Sequence, residues 1–145
     1  MKEIITIALS KGKLLEPTMA LFQRAGYAGC SIQEDDRRLI WEQPKNGHRF
    51  LIVRPSDVPA YVEYGAADLG VVGKDVLLEQ HPDVYEPVDL GLGGCKLVVA
   101  KPKGQTSAPR LSSTLRVATK YPGITERYFN QQGLPVEIIK LYGSI

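Results

Sequence analysis

Three short polar segments carry the residue types that bind anions and accept hydrogen bonds from amines. They are Ser10-Lys11-Gly12-Lys13, Arg54-Pro55-Ser56-Asp57 and Gly73-Lys74-Asp75, called here the first, second and third corners. Each follows a short apolar run, and in open α/β sheets ligands bind beyond the carboxyl ends of such strands. Lysine, arginine and backbone N–H groups at helix starts bind phosphates, while aspartate accepts hydrogen bonds from amino groups. The corners therefore predict a site for a phosphorylated ligand with an amine-bearing ring.

Each corner also has a purely structural interpretation, which the sequence leaves open. Ser56 and Asp75 stand where helix N-caps are expected, and loop lysines such as those of the first and third corners are usually solvated. Arg54 is harder to explain in this way, because it ends an apolar strand and precedes a proline.

Two common phosphate-binding motifs are absent from the sequence. A P-loop would need a glycine at the position of Asp68 and a hydroxyl residue at the position of Asp75. The Gly-Leu-Gly-Gly run at 91–94 lacks the third glycine that would complete a dinucleotide fingerprint. Phosphate binding would therefore depend on the corners.

The composition is that of an ordinary globular protein. With 145 residues, 43% of them hydrophobic, the chain can form one domain or two small lobes. A net charge of +2 is too small to indicate a nucleic-acid or membrane surface without clustering. We therefore expect neither partner.

The cysteines and histidines offer no metal-binding pattern. Cys30 and Cys95 are far apart, and neither has a histidine at metal-ligand spacing. We expect free thiols, no metal ligands, and surface positions for His48 and His81. The apolar start at 4–9 is too short to span a bilayer and leads into no cleavage site, so we expect a cytoplasmic protein.

Apolar periodicity and turn residues predict alternating strands and helices. The β-branched run at 4–9 is typical of a strand covered on both faces, and Asn46-Gly47 indicates a hairpin. Strands are predicted at 4–9, 37–43, 48–54, 68–72, 96–100, 115–118 and 136–141, and helices at 15–25, 56–65, 75–80 and 124–132. This alternation indicates an α/β fold with mixed sheets in two lobes, lobe I at 1–90 and lobe II at 91–145.

Four longer segments together resemble one enzyme family. They are IALSKGKLLEP, RPSDVPAYVEYGAADLGVVGKDVLLE, RVATKYP and VEIIKLYGSI. In order and spacing they resemble the catalytic subunit of the short-form ATP phosphoribosyltransferases, which begin histidine biosynthesis. The resemblance covers essentially all 145 residues and is far more specific than any single motif.

The resemblance implies a fold like that of the type II periplasmic binding proteins, with two α/β lobes around a cleft. It also implies a reaction in which a ring nitrogen of ATP attacks the anomeric carbon of phosphoribosyl pyrophosphate and expels pyrophosphate, with Mg²⁺ on the leaving group. A regulatory partner related to histidyl-tRNA synthetase, and hence a hetero-oligomer, is implied as well.

The resemblance also implies roles for the cationic residues. Lys11, Lys13 and Arg54 are expected to bind phosphates of both substrates and to stabilise charge on the departing pyrophosphate. Gly12 would let the backbone approach the ligand closely.

The base is expected to bind at the third corner. Asp75 and Asp68 would accept hydrogen bonds from the adenine amino group, and Lys74 would complete the substrate-binding set. The strand between the two aspartates is expected to lie in the core.

The chain departs from the family in two respects. Lys13 stands where the family usually has arginine, so a point charge would replace a bidentate phosphate contact. The family also continues beyond Ile145 with more of lobe II and a Thr-Gly loop for the phosphoribosyl phosphate. We therefore expect a fold incomplete at its C-terminal side and no turnover by the 145 residues alone.

A non-enzymatic module that binds or senses a small ligand is the alternative, because the same fold serves both functions. The missing Thr-Gly loop favours this alternative, while the missing signal peptide and the contiguous resemblance oppose it. A binding module of this kind should ignore nucleotides.

Overall fold

The computed structural model describes residues 4–27, 32, 39–43, 47–104 and 114–143. The chain divides into two compact units, one of residues 1–77 with 81–95 and one of residues 78–80 with 96–145. In chain order the elements are β1 (Ile5–Ser10), α1 (Leu15–Arg24), β2 (Ile40–Gln43), β3 (His48–Val53), α2 (Val58–Glu63), β4 (Leu69–Val71), α3 (Lys74–Gln80), β5 (Leu115–Thr119), α4 (Pro122–Gln131) and β6 (Val136–Lys140).

The first unit contains a four-stranded mixed sheet in the order β2-β3-β1-β4. Strand β1 runs parallel to both β3 and β4, while β2 pairs with β3 antiparallel. The predicted antiparallel pairing of these two strands and the predicted mixed sheet are thus confirmed. The hairpin residue Asn46 and the predicted strand start at 37–38 lie outside the described residues.

Strand β1 is covered on both faces, as its apolar run predicts. Ile7 and Leu9 pack on one face with a cluster that includes Phe50, and Ala8 packs on the other face with Val58. Fully burying a side chain of the size of Leu or Ile stabilises a fold by about 1.5–3 kcal/mol. This central strand therefore anchors the first unit and holds the corner that follows it.

His48 is buried, which contradicts the expected surface position. Only 2% of it is exposed, and its ring stacks edge-to-face with the rings of Tyr27 and Phe50. The histidine stands first in β3 and alternates inward with Phe50 and Ile52, so the strand period places it in the core.

The second unit contains a two-stranded parallel sheet, in which Leu115 of β5 pairs with Val136 of β6. Helix α4 connects the two strands and buries Phe129. Gly133 ends the helix with a φ of 67°, a left-handed conformation that glycine adopts without strain. The predicted strand, helix and strand are confirmed here.

The last turn of α3 holds the start of α4 within the second unit. The Glu79 carboxylate accepts the backbone N–H groups of Gly123 and Ile124, both at 2.9 Å. Arg127 of α4 donates from Nη2 to the carbonyl of Leu78 at 2.6 Å. The first N–H groups of a helix lack acceptors within that helix. In α4 the carboxylate of Glu79, from another helix, is the acceptor.

The predicted strand at 96–100 is wrong. Its residues form no strand, and Leu97, Val98 and Val99 are 56%, 80% and 60% exposed. A strand requires a neighbouring backbone to accept and donate its hydrogen bonds, and none of the described strands pairs with this segment.

Both predicted N-caps are also wrong. The N-cap positions of α2 and α3 are Asp57 and Gly73, and neither makes a capping hydrogen bond through a side chain. The hydroxyl of Ser56 instead lies 2.9 Å from Asp57 Oδ1. Asp75 lies in the first turn of its helix.

Among the described residues, no helix is long and apolar enough to cross a membrane.

Candidate functional site

The three corners meet at one end of the first unit's sheet. Strands β3, β1 and β4 are neighbours and all run in the same direction. Their last residues are aligned, since Ser10 pairs with Val53 and Leu9 pairs with Val71. Neighbouring strands lie about 4.8 Å apart, so the segments that follow them are side by side.

Hydrogen bonds attach the first corner to the strands on both sides. The backbone N–H of Lys11 donates to the carbonyl of Val53 at 2.8 Å. The buried hydroxyl of Ser10 donates to the carbonyl of Val71, also at 2.8 Å. The first corner is therefore held between the second and the third.

Three exposed cations lie at this end of the sheet, namely Lys11, Lys13 and Arg54. Within the described part of the chain, none of the three forms an ion pair or a side-chain hydrogen bond. Gly12 between the lysines has a φ of 102°, which favours glycine and permits the tight turn. The site therefore offers uncompensated positive charge to an anionic ligand.

Lys74 is different, because an ion pair balances its charge. Its Nζ lies 2.7 Å from Oε1 of Glu86 and also contacts the second carboxylate oxygen. The two residues are twelve positions apart, with the rest of α3 and an irregular segment between them, so no local sequence signal reveals the pair.

Asp75 follows the end of β4 that lies at the corners, while Asp68 does not. The half-buried Asp75 follows Gly73 in the third corner. Asp68 precedes β4, at the opposite end of that strand. Its Oδ2 accepts the N–H of Thr6 at 2.7 Å, and its own N–H donates to the carbonyl of Thr6 at 2.8 Å. With about 3.3 Å per strand residue, the three residues of β4 separate Asp68 from the corners by about 10 Å.

The strand between the two aspartates lies at an edge of the described sheet, not in its core. Leu69 of β4 is 47% exposed, and the expected core position for this strand is therefore wrong. Both faces of β4 make packing contacts, since Gly70 meets Val58 and Val62 of α2 and Val71 packs against the cluster of Ile7 and Leu9.

Groups of three or more metal-ligating side chains are absent from the residues that the structure describes. Cys95 is a free, exposed thiol, and Cys30 lies outside the described residues. The donor set at the corners is mainly cationic, which suits phosphate groups and repels a bare divalent cation.

Comparison with known proteins identifies the family. The family described as HisG: ATP phosphoribosyltransferase matches residues 54–145. An ATP phosphoribosyltransferase of Syntrophotalea carbinolica is 55% identical over 100% of this chain and 67% of its own length. A second one, from Symbiobacterium thermophilum, is 54% identical over 97% of this chain and 65% of its own length. The chain thus spans about two thirds of the length of these relatives.

A solved structure has the same architecture. A chain of the ATP phosphoribosyl transferase (HisG:HisZ) complex from Thermotoga maritima superposes with a TM-score of 0.70 at 30% identity, over 98% of this chain and 66% of that chain. The α/β fold with mixed sheets agrees with this neighbour. Because the family match covers more than half of the chain and the relatives cover nearly all of it, the chain belongs to the ATP phosphoribosyltransferase family.

Proposed function

We propose that this chain binds ATP at the three corners and forms the ATP-facing part of an enzyme. The enzyme transfers a phosphoribosyl group from phosphoribosyl pyrophosphate to the adenine ring of ATP and releases pyrophosphate, the first step of histidine biosynthesis. The observation that supports this proposal is that Lys11, Lys13 and Arg54 follow the neighbouring strands β1 and β3, at the end of the sheet where β4 also ends.

The cations would bind the substrate phosphates. Three positive charges on adjacent loops, without partners among the described residues, can contact several phosphate oxygens at once. Arg54 can do so through two parallel N–H donors. Lys11 and Lys13 flank Gly12, whose missing side chain leaves the backbone accessible. The same charges would stabilise pyrophosphate as it leaves.

Asp75 would orient the base by accepting a hydrogen bond from the adenine amino group. The attacking ring nitrogen already carries a lone pair, so the reaction needs little acid–base catalysis from the protein. Positioning of the two substrates and stabilisation of charge would supply most of the rate enhancement. Lys74 would bind a phosphate only after its ion pair with Glu86 breaks.

The family uses a metal ion with its substrates, and we propose Mg²⁺. In phosphate transfer this ion keeps several waters and binds mainly through the phosphates of the substrate. It would neutralise charge on the pyrophosphate, while the protein's cations hold the outer oxygens.

We also propose the arrangement of lobes that the resemblance implies. Lobe I would comprise 1–90 and lobe II 91–145, in a fold of the type II periplasmic-binding-protein class, and the division into two compact units supports this. A regulatory subunit related to histidyl-tRNA synthetase would complete a cytoplasmic hetero-oligomer, by analogy with the complex named above.

Isothermal titration of the purified chain tests the function. We expect ATP and AMP to bind and a free amino acid to give no heat, because adenine and phosphate are both recognised. Binding of the amino acid with no response to nucleotides would instead support the non-enzymatic alternative. Pyrophosphate release from ATP and phosphoribosyl pyrophosphate, with the regulatory subunit added, measures the complete reaction.

The position of Asp68 leads to a separate prediction. Replacing it with alanine should lower the free energy of unfolding by about 1 kcal/mol, since Thr6 N loses its charged acceptor. The dissociation constant for ATP should stay unchanged. Urea unfolding and titration measure the two quantities, and Asp68→Asn, which keeps an acceptor oxygen, should lose less stability. If Asp68→Ala weakened ATP binding without lowering stability, Asp68 would belong to the binding site.

A further inference from the structure

The glycine of the third corner is not required by its backbone conformation. Gly73 has a φ of −67° and a ψ of 144°, an extended conformation that any residue adopts. Gly12 differs in this respect, because its positive φ alone accounts for glycine. Another physical reason must explain why position 73 suits glycine in this structure.

The space around Gly73 supplies that reason. A Cβ atom at this position would lie 2.2 Å from Oδ1 of Asp75 and 3.4 Å from its Cγ. The first distance is far shorter than any van der Waals contact, so the Asp75 carboxylate occupies the volume that a side chain at 73 would fill. Gly94 offers a contrast, since a Cβ there would meet nothing within 4 Å.

We propose that Gly73 is a positioning residue for Asp75, and this inference rests on the proposed function of that carboxylate. Any larger residue at 73 forces the carboxylate of Asp75 to rotate away while leaving the backbone of α3 in place. The acceptor then moves relative to the adenine amino group. Gly73 thus determines recognition of the base without touching it.

A double-mutant cycle on thermal unfolding tests the contact independently of ligand binding. Gly73→Ala should lower the melting temperature in the original chain and should have no such effect in the Asp75→Ala background, where the carboxylate is gone. The cycle cancels the other interactions of Asp75. Equal shifts in both backgrounds would overturn the contact between the two positions.

Titration with ATP and with inorganic tripolyphosphate tests the consequence for function. Gly73→Ala and Asp75→Ala should each weaken ATP binding about ten-fold, the loss expected for one hydrogen bond to a charged group. Tripolyphosphate, which lacks the base, should bind both variants as it binds the original chain. The matched control Gly94→Ala should bind both ligands normally.

The outcomes separate the inference from the proposed function. If Asp75→Ala weakens ATP binding and Gly73→Ala does not, the positioning role of Gly73 is refuted and the role of Asp75 stands. If Asp75→Ala leaves ATP binding unchanged, the proposed role of Asp75 is refuted, and the positioning role of Gly73 with it. Equal losses of ATP and tripolyphosphate binding in Gly73→Ala would also contradict a role confined to the base.

Discussion

Replacing Arg54 with alanine will weaken ATP binding by about 10- to 100-fold, the range expected when a charged hydrogen-bond donor to a phosphate is lost. Stability should not change, because the exposed guanidinium pairs with no group in the described part of the chain. The backbone carbonyl of Arg54, which accepts the N–H groups of Asp57 and Val58, is unaffected by the substitution.

Two further variants make the Arg54 experiment specific. Arg54→Lys keeps the charge and loses the planar pair of donors, so its affinity for ATP should fall between those of the original chain and Arg54→Ala. Arg24→Ala removes an exposed arginine from the last turn of α1, away from the corners, and should bind ATP normally. Titration calorimetry measures all three, and an unchanged dissociation constant in Arg54→Ala would exclude Arg54 from the site.

Replacing Gly70 with alanine will destabilise the first unit by about 1–3 kcal/mol, the usual effect of overpacking a core. The added Cβ would lie 2.8 Å from Cγ1 of Val58 and 2.9 Å from Cγ2 of Val62. Both neighbours are β-branched and have few alternative rotamers, and Val58 is only 1% exposed. The helix must therefore move away from the sheet or the strand must bend.

Urea unfolding of three variants measures this effect. Gly70→Ala should unfold at a lower urea concentration, while Gly94→Ala, which meets no neighbour, should not. Adding Val62→Ala to Gly70→Ala removes one of the two clashes and should recover part of the loss. A Gly70→Ala variant at least as stable as the original chain would show that α2 does not pack against β4 as described.

Local sequence patterns predicted most elements of the first unit. The β-branched run before the first corner predicts a strand covered on both faces, and the apolar spacing after it predicts helix α1. The structure contains both elements. The rule that ligands bind beyond the carboxyl ends of parallel strands also placed the three corners together, and the alignment of β3, β1 and β4 agrees with it. These signals are local or depend only on strand direction, which is why they can be read without coordinates.

Contacts between distant residues were beyond such reasoning. Glu86 forms an ion pair with Lys74, twelve positions away. Glu79 accepts backbone N–H groups at the start of α4, more than forty positions away. Neither pair has a periodic or spacing signal, because each forms only when separate elements pack together.

The sequence by itself therefore determined the helices, most of the strands and the set of cations that follow parallel strands. Only the tertiary structure decided which cations have no partner among the described residues, and which carboxylate stands at their end of the sheet. Asp68 and Asp75 are close in sequence, but a strand of three residues is long enough to place them at opposite ends of β4. Each residue of a strand extends the chain by about 3.3 Å in one direction. The end of the strand at which a residue lies therefore decides whether its side chain can reach the site.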